Sequence, residues 1–282
     1  MTLVALCSGK GSPGVSTLAS VMGAVWPSTR RIVVAECDPS GNDLAARFGL
    51  SPRLGMTSLV LAHRRAGKSH SAFEVHQQRL PGGLEALVGP VNPDAAGSLD
   101  RELAAVGPGI FPVEGDVLVD CGRILSAAAG QQGTIKAADR VVVVTRPDVA
   151  GLAHAMWALD VVRGLRTQGM CSIVIVGSGD FPSREIEQAI GSRLLGTIPL
   201  DEQSAAMVCG SPGNPRRFAR SPLVESARRL VDRILKQPEV DKESPVTPGI
   251  HEEAADGGSR APKSRALNFG VSQLPEKPVE IR

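Results

Sequence analysis

The chain is poor in lysine: of its 31 basic residues seven are lysine, and only Lys10, Lys68 and Lys136 precede position 236. A lysine placed in a functional loop therefore carries weight. Aromatic residues make up 3% of the 282 positions, and Trp26 and Trp157 have no aromatic neighbours in the sequence, which leaves no readable base-stacking platform and makes both expected packing residues. The five cysteines (Cys7, Cys37, Cys121, Cys171 and Cys209) stand far apart without a C-x-x-C pair, which argues against a zinc site and a disulfide framework. His63, His70, His76, His154 and His251 show no ligand spacing. No stretch approaches the roughly 18 to 20 uninterrupted apolar residues of a membrane span, and Met1–Cys7 runs into a polar loop without a basic leader region or cleavage site, so a cytoplasmic location is expected. Basic and acidic residues nearly cancel, 31 against 29, which excludes polyanion binding by bulk charge and leaves room for a local patch.

What is present is a run of short apolar segments rich in β-branched residues: Leu3–Cys7, Ile32–Ala35, Leu84–Val88, Val117–Val119, Val141–Val144, Ile173–Val176 and, more weakly, Leu194–Ile198. Most are continuous rather than alternating, the pattern of strands buried on both faces. Helix-compatible segments lie between several of them, including Ser16–Val25, Leu99–Ala105, Val149–Leu165, Ser183–Ile190 and Leu223–Leu235. The alternation predicts an α/β fold, a mostly parallel twisted sheet flanked by helices, over residues 1–235. From Lys236 to Arg282 the sequence turns to Pro, Glu, Lys, Ser and Gly without periodicity, and a disordered polar tail is expected over 236–282.

The first strand runs into LVALCSGKGSPGVSTLA, with Gly9, Gly11 and Gly14 in the loop and Ser16 and Thr17 opening a helix. Glycines in such a loop let backbone N–H groups turn around phosphate oxygens, and the helix N-terminus adds its partial positive charge. The plain alternative is a tight strand-to-helix turn with a serine cap. Against the phosphate-loop pattern G-x-x-x-x-G-K-[ST], Gly9–Ser16 matches everywhere except at Val15, which stands where the lysine belongs; Lys10 lies near the start of the loop instead.

With this loop the chain resembles the ParA/MinD family of deviant phosphate-loop ATPases, whose loop K-G-G-x-G-K-[ST] carries a signature lysine at the place held by Lys10. Further segments follow in the family's order. Glu36–Asn42 (ECDPSGN) resembles the first switch, D-x-D-P-Q-G-N; Asp116–Gly122 (DVLVDCG) resembles the strand that ends in the second-switch acid, here Asp120. Val141–Pro147 and Leu195–Asp201 (LGTIPLD) resemble the later strand and the terminal G-x-I-P-x-D segment.

The resemblance implies a nucleotide-dependent positioning or partitioning switch that binds ATP and Mg²⁺ and dimerises on ATP. Lys10, Gly11, Ser12, Pro13, Gly14, Val15, Ser16 and Thr17 would bind the nucleotide. Ser16, Asp38 and Asp120 would hold the metal, Asp38 would orient the attacking water, and Lys10 would reach across a homodimer to the partner's phosphates. The apolar Val15 predicts weak or absent hydrolysis. Gly177 stands where many family members place an Asn that reads the purine edge, which takes away the expected reader of adenine. Two alternatives stay open: a nucleotide-independent scaffold of the same fold for a protein partner of a positioning machine, and a DNA-associated member, nominated by Arg216, Arg217, Arg220, Arg228, Arg229 and Arg233.

Remaining features have plainer readings. The stripe Val224, Leu230, Val231, Ile234 and Leu235 predicts a core-packing terminal helix rather than a membrane-surface one. Cys37 and Cys121, beside the switch acids, are expected to be small buried residues. The run His63–His70 (HRRAGKSH) reads as a polar excursion, compatible with a switch or partner loop, and Ala266–Val271 is an apolar island in the tail.

Overall fold

A computed structural model describes residues 2–236 apart from 12, 67–69, 112–113, 166–169 and 180. The tail beyond Lys236, its apolar island and Ser12 lie outside the described residues. In chain order the elements are β1 (Leu3–Ser8), α1 (Val15–Ala24), β2 (Ile32–Glu36), α2 (Leu44–Phe48), α3 (Met56–Ala66), α4 (His70–Val75), β3 (Gln78–Arg79), β4 (Glu85–Leu87), α5 (Pro93–Val106), β5 (Asp116–Arg123), α6 (Ala129–Ala137), β6 (Arg140–Thr145), α7 (Val149–Leu165), β7 (Met170–Val176), α8 (Ser183–Ile190), β8 (Arg193–Ile198), α9 (Glu202–Val208), α10 (Pro215–Ala219) and α11 (Pro222–Lys236).

The strands form one sheet in the order β3-β4-β2-β5-β1-β6-β7-β8, parallel throughout except for the short β3 at one edge. This is the mostly parallel α/β fold that the apolar runs predict. Because successive side chains alternate across the sheet, β1 divides itself between two cores. Leu3, Ala5 and Cys7 pack in the larger cluster with Met56, Leu99, Ile135 and Leu159 from the helices of one face. Val4 and Leu6 pack in the other with Leu18, Met22, Leu223, Leu230 and Ile234 from α1 and α11. The terminal helix is thus a core element, with Val224, Leu230, Val231 and Ile234 almost fully enclosed.

Two expectations need correction. The polar run His63–Ala66 is not loop but the end of α3, whose Met56, Leu59 and Val60 are buried at helical spacing. The charges that made the segment look irregular are its outer face. Trp157 does not pack inside: it is 43% exposed on α7, whose inner face is taken by Leu152, Ala155, Ala158 and Leu159. Trp26 does pack, and its indole N–H donates to Asp116 Oδ2 at 2.8 Å. Burial pushes the Asp116 carboxyl up, but hydrogen bonds from Arg30, Trp26 and the Thr2 N–H outweigh it and hold the group below its ordinary value. That cluster closes the amino end of the sheet, away from the glycine loop. Among the described residues no helix is long and apolar enough to cross a membrane.

Candidate functional site at the carboxyl edge of the sheet

In an open parallel sheet the carboxyl ends of the strands meet along one edge, and ligands bind there. Here the loop 9–14 leaves β1 at this edge and enters α1. Its start is wedged: a Cβ on Gly9 would fall 2.0 Å from the His154 carbonyl oxygen of α7, so only glycine fits. Its end turns through Gly14, at φ 101°, into the first helical residue. The Ser8 hydroxyl donates to the Lys10 carbonyl at 2.8 Å, tying the near side of the loop. Lys10 and Gly11 are exposed on top, and both line a cavity of about 240 Å³ shared with Thr145, Arg146 and Asp148 at the end of β6.

The first turn of α1 divides its side chains between two tasks. Val15 is 5% exposed and belongs to the apolar cluster of Leu6 and Leu18, so the position that lacks lysine is filled as core. Ser16 is half-buried and its hydroxyl stands beside the Asp120 carboxylate, favouring the charged form. Asp120 accepts the Gly122 N–H at 2.9 Å. Burial pushes Asp120 up to about 6, opposed by the Ser16 hydroxyl, by the Gly122 N–H and by the positive charge of Arg47, and reinforced by the negative charge of Asp38.

Asp38 arrives from the loop after β2. Its Oδ1 accepts the Ser40 N–H at 2.7 Å, the Asx turn that Asp-Pro-Ser-Gly favours. Its Oδ2 lies against the Cα of Gly122, where a Cβ would sit 1.8 Å from it, so the second acid reaches its place only because position 122 is glycine. Burial raises the Asp38 carboxyl, against the Ser40 N–H and the charge of Arg123. Ser16, Asp38 and Asp120 are therefore brought together beside the loop, as the sequence motifs require.

What holds the two acid-bearing loops was not readable from spacing. Glu36, 1% exposed at the end of β2, accepts the Asp43 and Leu44 N–H groups on Oε1, each at 2.9 Å, and the Gly89 N–H on Oε2 at 3.0 Å. It thereby caps α2 and ties it to the end of β4; burial raises its carboxyl to about 7 in spite of the three donors. Asn42 fastens the same turn by donating to the Asp38 and Pro90 carbonyls. On the other loop Gln131, wholly buried, donates to the Cys121 and Arg123 carbonyls at 2.6 and 2.8 Å and accepts the Leu125 N–H at 2.9 Å. Asp100 of α5 accepts the Gly130 and Gln131 N–H groups and so positions the start of α6. The buried thiols of Cys37 and Cys121 are pushed up by desolvation and behave as small core residues.

The strand order, the glycine loop at the head of α1 and the two acids at one edge decide the architecture. The chain has the fold of the MinD and ParA ATPases. MinD from Pyrococcus horikoshii OT3, solved with Mg-ADP, superposes with a TM-score of 0.65 at 16% identity, covering 83% of this chain and 96% of that one. A ParA family ATPase from Chlorobium tepidum TLS gives a TM-score of 0.65 at 18% identity over 83% of this chain and 97% of its own. By sequence, nitrogenase iron protein 2 of Methanothermobacter thermautotrophicus is 27% identical over 252 residues, 84% of this chain and 91% of its own length. No protein-family model matches the chain.

Within this MinD/ParA fold the far half of the edge is plainer. Gly177, at φ 95°, donates its N–H to the Ile198 carbonyl, and the side chain that faces it is Leu200, 61% exposed. Asp201 caps α9 through the Ser204 N–H at 3.0 Å. The nominated arginines divide: Arg228 donates to the Ala219 carbonyl, Arg229 pairs with Glu225 and Arg233 with the Leu195 carbonyl, while Arg216, Arg217 and Arg220 stand exposed around α10.

Proposed function

We propose that the chain is a MinD/ParA-like positioning switch that binds a magnesium nucleotide at the glycine loop, with weak or absent hydrolysis. The observation that carries the reading is the half-buried Ser16 hydroxyl beside the buried Asp120 carboxylate, with Asp38 against Gly122 at the end of the same strand. A hydroxyl and two carboxylates are hard oxygen donors, the set that suits Mg²⁺, and among the described residues no cluster of three or more His, Cys, Asp or Glu offers a different metal a home. When bound, the ion would neutralise charge on the phosphate oxygens. Ser16 would take a direct place on it, Asp120 and Asp38 would hold its waters, and the N–H groups of Gly11, Gly14, Val15, Ser16 and Thr17 would face the phosphates. The Pyrococcus MinD that carries Mg-ADP supports the assignment of both ligands.

Val15 sets the limit on turnover. A lysine there would follow the phosphoryl group into the transition state, and a buried valine supplies no charge to do so. Lys10, exposed on the loop, is suited to reach the phosphates of a second copy, so that two glycine loops face each other in a symmetric dimer. Exchange between monomer and dimer would then present or withdraw a surface for a protein partner. Exposed Arg216, Arg217 and Arg220 favour nonspecific DNA as a second partner class, testable by co-sedimentation over a salt series.

The test is the assembly state of the full chain with and without a nonhydrolysable ATP analogue, beside Lys10→Ala. A dimer formed with the analogue and lost in Lys10→Ala is expected. A monomer under every condition removes the switch, and a dimer indifferent to nucleotide leaves a scaffold.

A further inference from the structure

The valine at position 15 deprives the loop of the cation that should come from its own chain, and four cationic side chains surround the site. Lys10 and Arg146 are exposed and line the cavity on the β6 side. Arg123 is exposed at the end of β5 and its charge bears on Asp38. Arg47 differs from all three: its side chain is 26% exposed and held in place from two sides. Nη2 donates to Asp43 Oδ2 at 2.6 Å, and Nη1 donates to Cys209 Sγ at 3.1 Å. The same sulfur lies 3.7 Å from Thr17 Oγ1, in the first turn of α1.

The chain of contacts Arg47, Cys209, Thr17 therefore carries a guanidinium to the helix head on which the phosphates would rest. Its origin is fixed as well, since α2 begins at the Asp43 and Leu44 N–H groups that Glu36 holds. A guanidinium has five N–H donors in a planar fork matched to phosphate oxygens, and the two contacts named use two of them.

We propose that Arg47 binds the phosphates of the nucleotide within its own subunit, in place of the lysine absent at position 15, with Asp43 and Cys209 holding the fork toward Thr17. The inference rests on the nucleotide reading above, and it assigns Lys10 and Arg47 different work. Lys10 acts on the partner's phosphates and matters to the dimer; Arg47 acts in the monomer.

The experiment is equilibrium binding of a fluorescent ATP analogue with Mg²⁺ to the full chain, to Arg47→Gln and to Asp43→Asn, at concentrations where the chain is monomeric. Loss of charged hydrogen bonds to phosphate predicts that Arg47→Gln weakens binding by about ten- to a hundredfold. Asp43→Asn keeps the guanidinium and leaves an amide oxygen that can still accept from Nη2 and hold the fork, so its affinity is expected to stay within about threefold of native. Native affinity retained in Arg47→Gln overturns the proposal. Equal weakening in both variants overturns it too, because it makes the ion pair a structural strut. If the native chain binds no nucleotide, the reading of the site fails and the proposal with it, an outcome distinct from the other two.

Discussion

The two halves of the sheet finish differently along the same edge. On β1, β2 and β5 the strands end in Ser8, Glu36 and the Asp120–Arg123 stretch, and the loops beyond them are fastened by buried side chains: Glu36 on three N–H groups, Gln131 on two carbonyls and one N–H, Asn42 on two carbonyls. On β6, β7 and β8 the corresponding positions are Thr145, a glycine at positive φ and an exposed leucine. Side-chain chemistry is thus concentrated on the half of the edge beside the glycine loop and is sparse on the half formed by β6, β7 and β8. The lesson is about where order is needed: two acids share one buried corner, which raises both and demands rigid loops, whereas backbone groups and an apolar surface need no such fastening.

The largest effect expected from breaking this contrast is at Glu36. Glu36→Ala leaves the Asp43, Leu44 and Gly89 N–H groups buried without an acceptor, and a loss of about 4 kcal/mol in unfolding free energy is predicted from denaturant titration. Gln131→Ala, which strips the end of β5 and the turn after it of three hydrogen bonds, should cost about 3 kcal/mol by the same measurement. A loss below about 1 kcal/mol in both would mean that these loops are not held as described.

The third prediction concerns pH. Glu36 at about 7 and Asp120 at about 6 both lie above their ordinary values, so the folded chain keeps them protonated where the unfolded chain has already ionised them. Their contribution to stability is whole below the ordinary carboxylate range and is lost as pH rises through about 6 and then about 7. Without nucleotide, the thermal midpoint should fall between pH 5 and 8, and Asp120→Asn should recover on the order of 2 kcal/mol at pH 8. Magnesium needs the ionised form, so the Mg²⁺-dependent part of nucleotide affinity should rise over the same interval and vanish in Asp120→Asn. The smallest effect is reserved for the opposite half: Leu200→Ser should change stability by less than about 0.5 kcal/mol, in keeping with an exposed side chain.

Legibility followed the same division. Continuous β-branched runs placed seven of the eight strands among the described residues because a parallel sheet buried on both faces leaves that pattern, whereas the two-residue β3 leaves none. The helix Ala129–Ala137 was missed because glycine, threonine and two glutamines hide its apolar side, and its fixing partner Asp100 is 30 residues away in the chain. Motif order brought Ser16, Asp38 and Asp120 into one place, since each lies at or just beyond the carboxyl end of a central strand. Arg47 escaped notice because nothing in a one-dimensional pattern couples α2 to Cys209, 162 positions later. Glu36 read as a motif position and proved to be a cap, which only the positions of the Asp43, Leu44 and Gly89 N–H groups reveal.

On the proposed reading this edge recognises a magnesium polyphosphate rather than a base, and calorimetric titration of the native chain with Mg-ATP, Mg-GTP and adenosine tests that most directly. Binding of both triphosphates within about threefold of each other, at least about a hundredfold tighter than adenosine and lost on removal of Mg²⁺, is the predicted result. No binding of either triphosphate, or a preference for ATP over GTP beyond about thirtyfold, would contradict it.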